Sequence, residues 1–128
     1  MLKAGFSRLD VTPPLGTPVP GYFEERFAKG ILDPLELNAL AFSDGEKTAV
    51  IVVADFLGIM EEFATPIRKM VSEKTGLPEQ NIMISATHSH TSLRLGCAPW
   101  TASVEDKDYL SVLYRKFVDA AVLAIADM

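Results

Sequence analysis

The sequence predicts an α/β fold: a mixed sheet in which a β-hairpin leads into a βαβ crossover, with a helix at the C-terminal end. Three observations predict it. Two apolar arms flank the turn signal Asp44-Gly45, a strand, helix, strand pattern occupies residues 47–86, and residues 106–128 carry apolar side chains at helical spacing. At 128 residues the chain has the size of one domain with one core.

In chain order, "KAGFSRLDVT" reads as the first strand, with Ala4, Phe6 and Arg8 alternating against Gly5, Ser7 and Leu9 until Pro13 and Pro14 end any ladder. Residues 13–34 are rich in proline and glycine and show no sustained period, which is more loop than a compact domain of this size normally holds. Such a segment is usually functional or covers something. Residues 35–43 and 47–55 then form the hairpin, whose second arm is apolar almost throughout and is expected to be buried on both faces. A helix over residues 61–75 places Phe63, Ile67, Met70 and Val71 on one stripe and stops at Gly76, with Pro66 expected in its first turn or at a kink. "NIMISAT" is the next strand, parallel to the one before the helix because a crossover joins them.

The last helix begins after the acidic Glu105 and Asp106 and carries Leu110, Leu113, Tyr114, Phe117, Ala121 and Ala124 at helical spacing. Its final turns, "AAVLAIADM", are apolar on every side and lack a stop signal. Phe117, Val118, Val122, Leu123 and Ile125 are therefore expected to bury against another copy of the chain or a missing C-terminal segment, and the domain is expected to be incomplete.

Composition narrows the function. The hydrophobic share of 48% and charged share of 23% are those of a folded globular protein. A net charge of −5 with scattered lysines and arginines argues against nucleic acid as a partner. No apolar run is long enough for a membrane span and no secretory signal opens the chain, so the protein as written is expected to be cytoplasmic. The lone Cys97 forms no internal disulfide and reads as a small packed side chain, and Pro99 and Trp100 are expected to pack their loop down.

Chemistry concentrates in "NIMISATHSHTSLRLG", where His88 and His90, the only histidines, follow the end of a strand. Parallel strands joined by a helix send their C-terminal ends to one edge of the sheet, where ligand sites of open α/β sheets lie. Asp55 ends the partner strand, so a carboxylate and two imidazoles should meet there. Alternate residues of an extended segment point the same way, so the two rings can converge on one ion while Asp55 accepts the other ring N–H of a histidine. Nitrogen ligands favour zinc over calcium or magnesium. A His-x-His pair also arises by chance, either ring can cap a loop, and Asp55 can cap the turn that follows it. Thr91, Ser92 and Arg94 form a candidate substrate loop. Glycine-rich phosphate loops and the Gly-x-Ser-x-Gly nucleophile motif are absent.

The ordered stretches "AGFSRLDVTPPLGTP", "GYFEERFAKGILDPLELNALAF", "VVADFLGI" and "NIMISATHSHTS" resemble the N-terminal part of the neutral/alkaline, non-lysosomal ceramidase family. The resemblance implies a zinc-dependent amidase lineage acting on N-acyl sphingosine, with His88 as a direct zinc ligand and His90 as an active-site histidine that contacts substrate. It makes residues 1–128 the N-terminal fragment of a ceramidase-like hydrolase domain. Two departures matter. The family's Gly-Pro after the second histidine is replaced by Thr91, Ser92 and Leu93, which changes the substrate loop. The family's remaining ligands (a histidine, a glutamate and a tyrosine) and its serine nucleophile lie beyond the chain. The expectation is therefore one portion of an amide hydrolase for ceramide or another small-molecule or lipid amide, inactive alone. The rival is a non-catalytic metal-binding or oligomer-forming module, and whether the parent reading frame continues past Met128 discriminates between them.

Overall fold

The computed structural model describes residues 1–96 and 104–128; Cys97, Pro99 and Trp100 lie outside them. Strands β1 (Lys3–Asp10), β2 (Glu36–Ser43), β3 (Thr48–Ala54) and β5 (Ile82–Ala86) form a four-stranded sheet in the order β1-β2-β3-β5. Its first two pairings are antiparallel and the β3–β5 pairing is parallel. Helix α1 (Glu61–Thr75) is the crossover between β3 and β5, and α2 (Lys107–Ala126) packs on β1, β2, β3 and α1. The sheet is mixed, as the sequence predicts.

The hairpin closes where Asp44 and Gly45 stand. Asp44 Oδ1 accepts from the backbone N–H groups of Glu46 and Lys47, and Gly45 supplies a φ of 103° that the turn requires. Helix α1 ends at Gly76, whose φ of 75° and N–H to the Ser72 carbonyl form a left-handed cap. Pro66 lies inside α1 rather than in its first turn, because the helix starts beyond Met60 with Glu61 and Glu62 at its positive end. Asp106 caps α2 by accepting from Tyr109 N–H at 2.9 Å.

The core lies between the helices and one face of the sheet. Leu37, Ala39 and Ala41 of β2, Val50 and Val52 of β3, and Ile82 of β5 meet Ile67 and Val71 of α1 and Phe117, Ala120 and Ala124 of α2. On β1 the inward face is Gly5, Ser7 and Leu9, while Phe6 and Arg8 point out. Small inward residues let α2 approach closely: Ser7 Oγ donates to the Ala120 carbonyl at 2.7 Å, and Phe6 N–H donates to Asp127 Oδ2 at 2.9 Å.

Two expectations need correction. β3 is not buried on both faces: Val50, Val52 and Ala54 are buried, whereas Ala49, Ile51 and Val53 are only half-buried, because both helices lie on one side. The outer face also presents Phe6, Phe42 and Met83 to solvent. The end of α2 is covered for the most part within one copy of the chain, rather than left open on every side. Phe117, Val118, Ala120, Ala121 and Ala124 are buried within one copy, and of the five residues named from sequence only Leu123 is largely exposed. The sheet and α1 flank the helix on several sides, which accommodates an apolar surface wider than one stripe. Among the described residues no helix is long and apolar enough to cross a membrane.

Candidate metal and substrate site

The last β3–β5 pair is Ala54 opposite Ala86, so the segments leaving the two strands run on side by side at one sheet edge. They hold each other through backbone bonds. Thr87 N–H donates to the Ala54 carbonyl, and the N–H groups of His88 and Ser89 both donate to the Phe56 carbonyl. A two-residue parallel pair, β4 (Gly58–Ile59) with β6 (Arg94–Leu95), continues the contact past the site; it is too short to give a sequence signal.

His88 is the one non-glycine among the described residues with a positive φ, 64°. A left-handed conformation costs an L-residue about 1 to 2 kcal/mol, and such outliers gather at functional sites. Here it brings Nδ1 of the ring to 2.7 Å from the Leu57 carbonyl oxygen. His90 makes the matching contact on the other side, with its Nδ1 3.0 Å from the Gly21 carbonyl. A carbonyl oxygen only accepts, so each Nδ1 carries the hydrogen and each neutral ring keeps its lone pair on Nε2. The ring centroids are 4.9 Å apart at an interplanar angle of 78°. Two adjacent imidazoles with both Nε2 atoms in the acceptor state form a donor set suited to zinc.

Asp55 stands at the same edge but does not orient either histidine. Its carboxylate accepts from Glu36 N–H at 3.1 Å and from the Thr87 hydroxyl at 3.2 Å, tying β2 and β5 to the end of β3. The orienting contact expected of Asp55 is made instead by the Leu57 carbonyl, which the strained backbone of His88 brings into reach. The candidate substrate loop divides. Thr91 is exposed, with its hydroxyl 3.1 Å from that of Ser89. Ser92 is buried and donates to the Ser89 carbonyl, so it closes a turn. Arg94 is half-buried in β6 and its Nη2 reaches Met60 Sδ. Among the described residues no three His, Cys, Asp or Glu side chains are grouped to hold a metal, and the histidine pair alone falls short of the three or four ligands that a firm zinc site needs.

Sequence reasoning missed the residues that contact His90, which is itself exposed. Residues 16–28 fold into an arm, tied by Gly16 N–H to the Ala28 carbonyl, Ala28 N–H to Thr17 and Val19 N–H to Arg26, with a bridge between Pro18 and Phe27. Its tip brings Tyr22 edge-on to His90, with ring centroids 5.8 Å apart, and places Arg26 Cζ 3.8 Å over the Tyr22 ring. Arg26 Nη2 donates to the His90 carbonyl at 2.8 Å. The unusual length of the 13–34 segment was the only signal. A cavity of about 350 Å³ lies beside the site, with Val19, Ile31 and Leu35 among its apolar walls and Asp55, Ser89 and Thr91 among its polar ones.

The chain forms an open sheet with two imidazoles at the carboxyl edge of its parallel strands, and two solved structures that share this fold are ceramidases. The chain superposes on the neutral ceramidase from Pseudomonas aeruginosa with a TM-score of 0.82 and 20% sequence identity. It also superposes on a ceramidase complexed with C2, with a TM-score of 0.78 and 21% identity. Each match covers 98% of this chain but only 22% and 21% of the respective ceramidase chains, so the protein spans about a fifth of their length. No protein-family model and no curated protein matches the sequence. The resemblance read from four short motifs therefore holds at the level of fold.

Proposed function

We propose that this chain is the N-terminal portion of a zinc-dependent amide hydrolase related to neutral ceramidases, to which it contributes His88 as a metal ligand and His90 as an active-site histidine and second candidate ligand, and that it is inactive by itself. The observation that carries the reading is the pair of imidazoles 4.9 Å apart, each held through Nδ1 by a backbone carbonyl so that both Nε2 atoms are acceptors. Bound zinc would supply a Lewis acid to polarise an amide carbonyl or activate the attacking oxygen. The chain's own part is to fix two donors, while the cavity with Ile31 and Leu35 on its walls gives apolar groups of an N-acyl substrate a place to lie. N-acyl sphingosine and other N-acyl amides both suit such walls. A histidine pair without a third grouped ligand among the described residues supports inactivity in isolation.

The two-ligand count also favours a second reading, a non-catalytic metal-binding module that retains the fold. An N-acyl amide hydrolysis assay separates the two. On the first reading the 128-residue chain releases no fatty acid, the polypeptide of the whole parent reading frame does so with zinc, and His88→Ala in that polypeptide abolishes turnover. Hydrolysis by the short chain, or a parent frame that ends at Met128, contradicts the first reading.

A further inference from the structure

We propose that the arm of residues 16–28 is a latch on the histidine pair, with Tyr22 and Arg26 as positioning residues, so that one imidazole is permanently set and the other is set only while the arm is down. The inference deepens the metal-site reading above and rests on it for its functional meaning.

The two histidines are held by different parts of the chain. His88 is fixed by the body of the fold: its N–H donates to the Phe56 carbonyl, and its Nδ1 donates to the carbonyl of Leu57, a residue 6% exposed. His90 is held from across the site by residues 64 and 69 positions away, through the Gly21 carbonyl on its ring and Arg26 on its own carbonyl. These are the only hydrogen bonds among the described residues that join residues 18–27 to the body of the fold. Besides these the arm meets the body through the edge contact of Tyr22 with His90 and, at its base, through Thr17 bonded to the Pro14 carbonyl, none of which belongs to a strand, so the tip can lift without breaking one.

The latch has one closing device. Arg26 holds its Cζ 3.8 Å over the Tyr22 ring and donates through Nη2 to the His90 carbonyl, while its Nε is buried with no hydrogen-bond partner among the described residues. A buried unpaired N–H destabilises the closed arrangement, so closure depends on the Tyr22 stack and the His90 bond and is poised rather than locked. At the tip, Gly21 has a φ of 107° and approaches the ring so closely that an added Cβ would lie 2.8 Å from His90 Nδ1. When the arm lifts, His90 loses its carbonyl acceptor and nothing then keeps the hydrogen on Nδ1. The neutral ring then also populates the tautomer with its hydrogen on Nε2, in which Nε2 offers no lone pair to a metal.

Two-bond 15N–1H correlation of the imidazoles tests this in the metal-free protein at about pH 8, above the ordinary imidazole range. The wild type is expected to show both rings in the Nδ1–H form. In Arg26→Ala, His90 should shift toward the Nε2–H form while His88 stays unchanged as an internal control, and zinc affinity should fall about 10- to 100-fold, as for loss of other groups that orient a ligand. Arg26→Lys keeps a donor but loses the flat face on Tyr22, and should fall between the two. Gly21→Ala displaces the ring without touching Arg26 and should give the same change at His90, so the test survives if Arg26→Ala fails to fold. His90 retained in the Nδ1–H form in both Arg26→Ala and Gly21→Ala, or a parallel change at His88, overturns the latch. Absent zinc binding with the tautomer change intact would instead sink the metal reading and leave the latch standing.

Discussion

Replacing Gly5 by alanine tests the seat of α2 on the sheet, which keeps the β3 and β5 ends in place through the shared core. A Cβ built on Gly5 lies 2.2 Å from the Ala124 carbonyl oxygen, 2.7 Å from Met128 N and 2.9 Å from the Asp127 carbonyl carbon. All three are backbone atoms, so no side chain can rotate aside. Ordinary contact begins near 3.4 Å, so the end of α2 must retreat by about 1.2 Å. A gap of that size forfeits a quarter to a half or more of the contact energy along the helix, and overpacking typically costs about 1 to 3 kcal/mol. Retreat also strains the bonds from Ser7 to Ala120 and from Phe6 to Asp127, each contributing about 0.5 to 1.5 kcal/mol. Against this stands a gain of about 0.4 to 1 kcal/mol from the stiffer unfolded chain, since Gly5 does not have a positive φ. The net expectation is a loss of about 2 to 4 kcal/mol, a large part of a domain's stability. Urea unfolding followed by circular dichroism reads it as a lower midpoint with an unchanged slope. Gly30→Ala is the control, having open space around its added Cβ and no positive φ, and should be neutral or slightly stabilising. A loss below about 1 kcal/mol for Gly5→Ala would refute the described packing of α2 on β1.

Further outcomes follow from the core and from one carboxylate. Phe117 is fully buried and edge-on to Phe56 at 6.5 Å, so Phe117→Ala should cost about 3 to 5 kcal/mol in the same unfolding assay. Hydrogen bonds from the Thr12 side chain and backbone hold the Asp10 carboxyl below the usual carboxylate range. Because the folded value lies below the unfolded one, the stability it contributes is present above the unfolded value and lost as pH falls through the folded one. Asp10→Asn should therefore remove that component of the acid-side pH dependence and leave the dependence above pH 6 unchanged, as read by midpoints across a pH series.

The hairpin, both helices and the parallel crossover were legible because each is announced locally: Asp44-Gly45 between apolar arms, Gly76 after a periodic run, Asp106 before another. The meeting of Asp55 with the histidine segment was legible too, since parallel topology alone brings two strand ends together. What escaped was set by distant partners. The roles of the two faces of β1 depend on α2, whose backbone reaches Gly5 from more than a hundred residues away. The one-sided burial of β3 depends on where the helices settle, which an all-apolar run does not encode. The arm over His90 has no hydrophobic period, so its pairing of Pro18 with Phe27 and the reach of Arg26 to His90 could not be read from spacing. Leu57 in place of Asp55 as the partner of His88 follows from a positive φ that the sequence does not announce.

The central claim, that His88 and His90 offer their Nε2 atoms to one metal ion, is tested most directly by calorimetric titration of zinc into the purified chain and into His88→Ala and His90→Ala. The account predicts one zinc per chain, bound weakly because only two ligands are present, with each single substitution lowering the affinity at least about 10-fold. Tight binding, or binding that neither substitution changes, would contradict it.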